Sequence, residues 1–330
     1  MAQAGDRIEP GLKLSDPAAT GESILQGRVL FSSNLRGEFE PCSCPELPLG
    51  GISQTVGLVD SMRDSTTPVF WLDAGDRFFR IDMAQLSTEE AERRLRAMLL
   101  VDVGNLGGLD AMGVGQLDLG AGLKYLQLLS RRASFPLLSA NLVDEEGALI
   151  FAPSVLLERG QLRLGVTSVL PGNLVGDGFR TLPPKTSLRR AIKALRAAGA
   201  THVVVLSNLG EVADRKLARG LRADLLLSSR SRRLSSVGEK LGRTVLGEAG
   251  SRGRYLGDAR LYAQGRGAGP HIVLTAQPVL ASGVSSPAID ELVEQVLRRL
   301  ADPLLGVPPL PVERQKARGT LQLPALPGAR

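Results

Sequence analysis

Short apolar runs alternate with longer stretches of helical periodicity between residues 27 and 280, and this alternation constrains the fold most strongly. The short runs predict ten strands, over residues 28–31, 68–72, 111–114, 137–139, 162–168, 201–207, 224–228, 244–247, 255–262 and 271–277. The periodic stretches predict helices over residues 51–63, 87–103, 120–133, 186–198 and 286–300. Such alternation is typical of a layered α/β domain.

The two ends of the chain differ in composition from this middle part. Residues 1–26 are polar and rich in Gly, Pro and Ser, which predicts a flexible arm, and residues 303–330 form a Pro-rich tail that we expect to be disordered. Between them we expect one domain over 27–280, whose last strands finish as a hairpin, and a C-terminal helix over 281–302. The sequence shows neither a membrane-spanning apolar run nor a signal peptide.

The chain is basic, with a formal net charge of +6 and a pI of about 9.7. This balance favours anionic partners, although it also fits a basic protein without such a partner. Aromatic residues make up only 4%, too few for the stacking surfaces of a single-strand binder, and there is no specific nucleic-acid motif. The expected partner is an unknown protein or a phosphate-bearing ligand.

Several motifs follow one another in a fixed order. They read V-L-F-S-S-N-L-R-G at 29–37, E-P-C-S-C-P at 40–45, W-L-D-A-G-D at 71–76, V-G-Q-L-D-L-G at 114–120, F-P-L-L-S-A-N at 135–141, V-V-L-S-N-L-G at 204–210, L-S-S-R-S-R at 227–232 and R-G-R-Y-L-G at 252–257. In order and spacing they resemble the calcineurin-like metallophosphoesterases of the 5′-nucleotidase type. The resemblance is strongest to a bacterial branch with E-P-C-x-C-P after its first motif, and it covers about residues 27–265.

This resemblance implies a four-layer α-β-β-α sandwich, with two mixed sheets and helices on the outer faces. It also implies a pair of divalent metal ions (Mn, Zn or Mg) at the carboxyl ends of the strands, phosphohydrolase activity and a periplasmic location. Many family members add a C-terminal domain that stacks the substrate base, and this chain ends before such a domain.

The residues at the family's site positions depart from its pattern. Those positions are occupied here by Phe31, Asn34, Arg36, Asp76, Gln116, Leu117, Asp118, Asn208, Arg230 and Arg232. The family has histidine at six of them (31, 36, 117, 208, 230 and 232), whereas the two histidines of this chain, His202 and His271, lie outside every motif. Asp76, the family's bridging carboxylate, is retained, and Asp118 is retained without its histidine neighbour.

These exchanges predict a vestigial site. Arginine has no lone pair and stays protonated, so guanidinium groups repel divalent cations. We therefore expect no catalytic residue and no bound metal, and we interpret the chain as a non-catalytic relative that acts in binding or in an assembly. The alternative is an atypical metal-dependent phosphoester or nucleotide hydrolase with oxygen ligands from Asp76, Asn34, Gln116 and Asn208.

Three arginines and two cysteines leave further alternatives open. Arg36, Arg230 and Arg232 could hold a phosphate, or they could pair with Asp76 and Asp118 and fill the site. Cys42 and Cys44 could act in redox chemistry or bind a soft metal, or they could form inert thiols or a disulfide in a Pro-rich turn.

Overall fold

The computed structural model describes residues 24–63, 66–80, 90–231, 233–263 and 271–301. The predicted tail over 303–330 and nearly all of the predicted arm lie outside these residues. The first strand begins at Ile24, so the last residues assigned to the arm belong to a sheet. No helix in the described ranges is both long and apolar enough to cross a membrane.

The described chain alternates strands and helices as the sequence predicts. The strands are β1 (Ile24–Ser32), β2 (Val69–Asp73), β3 (Ala111–Gly113), β4 (Leu137–Leu138), β5 (Leu142–Val143), β6 (Ser154–Arg159), β7 (Leu162–Val169), β8 (Val175–Gly176), β9 (Phe179–Thr181), β10 (His202–Ser207), β11 (Leu225–Ser228), β12 (Glu239–Leu241), β13 (Thr244–Glu248), β14 (Tyr255–Ala263) and β15 (His271–Pro278). The helices are α1 (Ile52–Arg63), α2 (Glu90–Leu106), α3 (Leu123–Arg132), α4 (Pro184–Ala197), α5 (Glu211–Ala218) and α6 (Pro287–Ala301).

Two large sheets form the centre of the fold. The first has the order β15-β14-β1-β2-β3-β4, in which β1 to β4 are parallel and β14 and β15 are antiparallel. The second has the order β12-β13-β11-β10-β7-β6, with β7, β10, β11 and β13 parallel and antiparallel strands at both edges. Because the carboxyl ends of parallel strands meet at one edge of a sheet, the loops that follow them lie close together.

Strand β10 shows how the sequence builds the layers. Val204 and Leu206 face the core between the two sheets, whereas Val203 and Val205 face the core beneath α4 and α5. All four side chains are buried, as expected for a parallel strand covered on both faces. On the far side of the first sheet, α1, α2, α3 and α6 enclose a third core. The four-layer sandwich is therefore confirmed.

Several strands and one helix of the structure were not predicted from the sequence. A small third sheet, ordered β5-β9-β8, joins the two predicted ones, and its strands have only two or three residues each. Edge strand β6, which ends in two charged residues, and helix α5, in which four of eight residues are charged, were not predicted. Strand β13 pairs with β11 in the second sheet, so the predicted terminal hairpin consists of β14 and β15 alone.

Candidate functional site

Loops at the carboxyl ends of both sheets meet around Asp76. Asp76 follows β2 in the first sheet, and its side chain is nearly fully buried at 1% exposure. Its Oδ2 accepts a 2.9 Å hydrogen bond from Nδ2 of Asn208, which follows β10 in the second sheet. Its Oδ1 accepts a 2.8 Å hydrogen bond from the amide of Leu117. Both carboxylate oxygens thus already have protein donors.

Asn208 joins three loops through one side chain. Besides Asp76, its Nδ2 donates a 2.8 Å hydrogen bond to Oγ of Ser229, after β11. Its Oδ1 accepts a 2.8 Å hydrogen bond from the amide of Gln116, after β3. The side chain is completely buried, so these bonds replace water at each of its polar atoms. Gln116 and Leu117 contribute their backbone amides to this network.

Asp118 is also completely buried, and it binds backbone only. Its Oδ1 accepts hydrogen bonds from the amides of Arg77 (2.8 Å) and Phe78 (2.9 Å). Its Oδ2 accepts them from Asp76 (3.0 Å) and Gly115 (2.8 Å). Burial and the charge of Asp76 raise the pKa of Asp118 to about 8, while the amide donors act in the opposite direction. Asp118 therefore fixes the loops after β2 and β3, and among the described residues it forms no ion pair with an arginine.

Arg36 and Asn34 form a second contact next to Asp76. Nε of Arg36 donates a 2.6 Å hydrogen bond to Oδ1 of Asn34, which is completely buried. Asn34, Arg36 and Asp76 all have φ between 55° and 58°, a left-handed conformation that is uncommon for residues other than glycine. The amide oxygen of Asn34 thus faces a guanidinium group.

The arginines contribute charge around Asp76. Burial raises the pKa of Asp76, and the positive charges of Arg36 and Arg230 act against this, as do the hydrogen bonds from Leu117 and Asn208. Arg230 is exposed and its side chain runs beside Gly210. Arg232, the third predicted arginine, lies outside the described residues.

Phe31 does not reach this site. Its ring lies in the core between the sheets and is completely buried. A Cβ placed on Gly257 would lie 2.0 Å from the ring, and one on Gly247 would lie 3.2 Å from it. The ring therefore fills space left by Gly257 of the neighbouring strand β14 and by Gly247 of β13 in the second sheet. The first histidine position of the family has become part of the hydrophobic core.

A buried ion pair next to the site was missed from the sequence. Nη1 of Arg77 lies 2.8 Å from Oδ2 of Asp73, and both side chains are fully buried. The same oxygen accepts a 2.7 Å hydrogen bond from Oγ of Ser32, and Nη2 of Arg77 donates to the carbonyl of Leu100. The spacing of four residues between an aspartate and an arginine was the only signal. This pair connects β1, β2 and α2 directly behind Asp76.

The donor set does not fit a pair of divalent metal ions. Such ions need lone pairs that converge on them from imidazole and carboxylate groups. Here the carboxylate oxygens of Asp76 and Asp118 already accept hydrogen bonds from protein N–H groups, one of them from the side-chain amide of Asn208. The side-chain oxygen of Asn34 accepts a hydrogen bond from Nε of Arg36. Within the described ranges, no three His, Cys, Asp or Glu side chains group together in a way that could hold a metal ion.

The two cysteines lie apart from this network, in the loop between β1 and α1. Both thiols are free and half-buried. They line a cavity of about 480 Å³ together with Arg252 and Arg254. The amide of Arg252 donates a 2.9 Å hydrogen bond to the carbonyl of Asn34, which places the cavity next to the first loop of the site.

Known structures share this architecture, whereas no protein-family model and no curated protein matches the sequence. Sulfate thiohydrolase SoxB from Thermus thermophilus is 19% identical with a TM-score of 0.72, over 84% of this chain and 61% of that one. A 5′-nucleotidase precursor from the same organism is 20% identical with a TM-score of 0.71, over 83% and 59%. The calcineurin-like phosphoesterase YfkN from Bacillus subtilis is 16% identical with a TM-score of 0.68, over 83% and 97%.

The first two of these proteins are considerably longer, and this chain spans about three fifths of their length. At these identities the likeness concerns the fold. It agrees with the order of the motifs and with the four layers. The chain therefore has the calcineurin-like phosphoesterase fold, in the form found in 5′-nucleotidases.

Proposed function

We propose that this protein is a non-catalytic relative of the 5′-nucleotidase-type phosphoesterases and works by binding a ligand or a partner. The observation that carries the proposal is the hydrogen bond from Asn208 to Asp76. In the family that the motifs resemble, the aspartate at position 76 and a histidine at position 208 would hold metal ions. Here an amide N–H group points at the carboxylate, so the two residues satisfy each other without a metal.

A phosphate-bearing anion is the ligand class that the charges favour. Arg36 and Arg230 both act on Asp76 from opposite loops, after β1 and β11. Guanidinium groups bind phosphate oxygens through paired N–H donors. The net charge of +6 also favours the approach of an anion.

An atypical metal-dependent hydrolase is the second candidate. Two observations favour it: the fold shared with phosphoesterases, and the left-handed backbone kept at Asn34, Arg36 and Asp76. Strained backbone of this kind is often retained at functional sites. In this case a metal would have to break the hydrogen bond between Asn208 and Asp76.

Metal analysis separates the two candidates. The purified chain is dialysed against Mn²⁺ or Zn²⁺, desalted and analysed for metal, and then assayed with a generic phosphodiester and with nucleoside monophosphates. We expect substoichiometric metal and no turnover above a buffer blank. Stoichiometric metal together with turnover that is lost in the Asp76→Asn variant would overturn the non-catalytic proposal.

Calorimetry with inorganic phosphate and a nucleoside monophosphate tests the ligand class. We expect binding that weakens at least about tenfold in Arg230→Gln, because one charge-assisted contact contributes about 1.5 kcal/mol or more. Arg222→Gln serves as the matched control, since Arg222 is also exposed and lies in the loop before β11. Equal binding by both variants would exclude Arg230 from an anion site.

A further inference from the structure

The loop that carries Cys42 and Cys44 is held in place at its base. The amide of Cys42 donates a 2.8 Å hydrogen bond to the carbonyl of Leu49, and the amide of Leu49 donates in return to Sγ of Cys42 at 3.3 Å. Pro41 pairs with Gly50 as an antiparallel bridge beside these bonds. Sγ of Cys42 therefore has a fixed position and an N–H donor of its own.

The two thiols have unequal surroundings. They share a hydrogen bond that lowers the pKa of Cys42 and raises that of Cys44. Burial alone raises the pKa of Cys42, but the bond from Cys44, the amide of Leu49 and the charge of Arg254 outweigh it, so the net shift is downward. Of the two thiols, Cys42 is therefore the one that loses its proton more readily, and Cys44 donates a hydrogen bond to it.

The cavity in front of these thiols carries charges of both signs. The positive side chains are those of Arg252 and Arg254, just before β14, and the negative ones are those of Glu38 and Glu40, in the loop after β1. Among the described residues, Nε of Arg254 is buried without a hydrogen-bond partner. A second cavity, of about 410 Å³, shares Cys44 and Arg254 and is lined by apolar groups that include Leu47 and Tyr255.

We propose that Cys42 and Cys44 form a thiol–disulfide exchange centre for a small zwitterionic disulfide, of the kind formed by short peptides with free amino and carboxylate groups. Guanidinium groups next to the thiols match the carboxylates of such a ligand, and Glu38 and Glu40 match its ammonium groups. A soft metal fits less well, because positive guanidinium groups stand beside a pair of thiols that lacks a third ligand among the described residues.

The exchange proceeds in two steps. The Cys42 thiolate attacks one sulfur of the disulfide RSSR, so that a mixed disulfide forms and one RS⁻ leaves, which takes a proton from water. Cys44 then loses its proton to solvent, and its sulfur attacks Sγ of Cys42 and expels the second RS⁻, which also takes a proton from water. The protein dithiol is oxidised to a disulfide, and RSSR is reduced to two RSH. The ring closed by a Cys-x-Cys disulfide is small, so this product is readily reduced again.

The test uses the full chain with oxidised glutathione, followed by acid quenching, alkylation and intact mass. We expect the wild-type protein to lose both thiols without retaining an adduct. Cys44→Ser should accumulate a mixed disulfide at Cys42, because no second thiol remains to attack it, while the serine hydroxyl can still donate a hydrogen bond to Sγ of Cys42. Cys42→Ser should react at least about tenfold more slowly, since the remaining thiol, Cys44, lacks the hydrogen-bond donors that stabilise a thiolate.

Two controls keep the proposal open to refutation. The Cys44→Ser variant should react several-fold more slowly with hydroxyethyl disulfide, which is uncharged, than with oxidised glutathione. Adding Arg254→Gln to this variant should reduce the difference between the two rates. Equal rates for the two disulfides would overturn the charged site. Equal rates for the two single cysteine variants, or an adduct that persists on the wild-type chain, would overturn the exchange centre itself.

Discussion

Asn208 and Asp76 connect the two large sheets through a hydrogen bond of 2.9 Å between Nδ2 and Oδ2, at the edge where the parallel strands of both sheets end. Asp76 belongs to the first sheet and Asn208 to the second. Both side chains are buried, so the bond contributes to stability and not only to local order.

Replacing Asn208 by alanine should lower the free energy of unfolding by about 2–3 kcal/mol, because Asp76, Ser229 and the amide of Gln116 lose a buried partner. Urea unfolding followed by circular dichroism measures this change. Asn173→Ala is the matched control, since Asn173 is exposed, and should change stability by less than about 0.5 kcal/mol. Similar effects for both variants would show that the contact between the sheets contributes little.

Removing the charge of Arg77 should destabilise the fold by about 3–5 kcal/mol, because the buried carboxylate of Asp73 would lose its only ion-pair partner among the described residues. Arg77→Met keeps most of the volume and tests this by chemical denaturation. The control is Arg80→Met, whose side chain is 61% exposed and lies 3.9 Å from Glu38. A loss of less than about 1 kcal/mol in Arg77→Met would contradict a buried ionic contact.

A methyl group at Gly115 should disturb the Asp76 loop, because the added Cβ would lie 2.3 Å from both the amide nitrogen and Oδ1 of Asp76. We expect Gly115→Ala to reduce the melting temperature, with a cost of about 1–3 kcal/mol. Gly220→Ala provides the comparison, since no atom lies within 4 Å of its added Cβ, and it should be neutral or slightly stabilising. An unchanged melting temperature in Gly115→Ala would contradict this packing.

The raised pKa of Asp214 should make the stability of the fold depend on pH. Burial raises its pKa to about 6, even though Ser207 and Ser228 donate hydrogen bonds to its carboxylate. The folded state therefore binds more protons than the unfolded state between about pH 4 and 6, and stability falls as the pH rises through this range. The loss amounts to about 3 kcal/mol by pH 7.

The Asp214→Asn variant should show a decline that is smaller by about 3 kcal/mol, because Asp118 and Asp76, whose pKa values burial also raises, still contribute to it. Denaturant midpoints between pH 4 and 7.5 would show the difference. Asp177→Asn changes an exposed carboxylate and should keep the wild-type profile. Parallel profiles for Asp214→Asn and the wild-type chain would mean that Asp214 titrates near its ordinary pKa.

Much of the fold could be predicted from local patterns. The four consecutive apolar residues of β10 predicted a strand, and the structure places their side chains alternately in two cores. The order of the motifs also brought Asp76 and Asn208 to the same edge. Both inferences use short-range information, namely side-chain periodicity and the direction of parallel strands.

The detailed contacts of the site could not be predicted, because they depend on residues far apart in sequence. Phe31 enters the core because Gly247 and Gly257 leave room for its ring. Asp118 resembles a surviving catalytic carboxylate in sequence, and only the folded loops show that it binds backbone amides. Neither contact can be predicted from the sequence motif in which the residue lies.

The amides gathered by Asp118 have a consequence for how the chain reaches its final shape. Three of them, on Asp76, Arg77 and Phe78, lie 40–42 residues away from the carboxylate along the chain. Bringing two segments so far apart in sequence together costs conformational entropy, and the hydrogen bonds to Asp118 offset this cost only once both segments are in position. The turns after β2 and β3 should therefore become ordered together and late, after the central sheets have assembled.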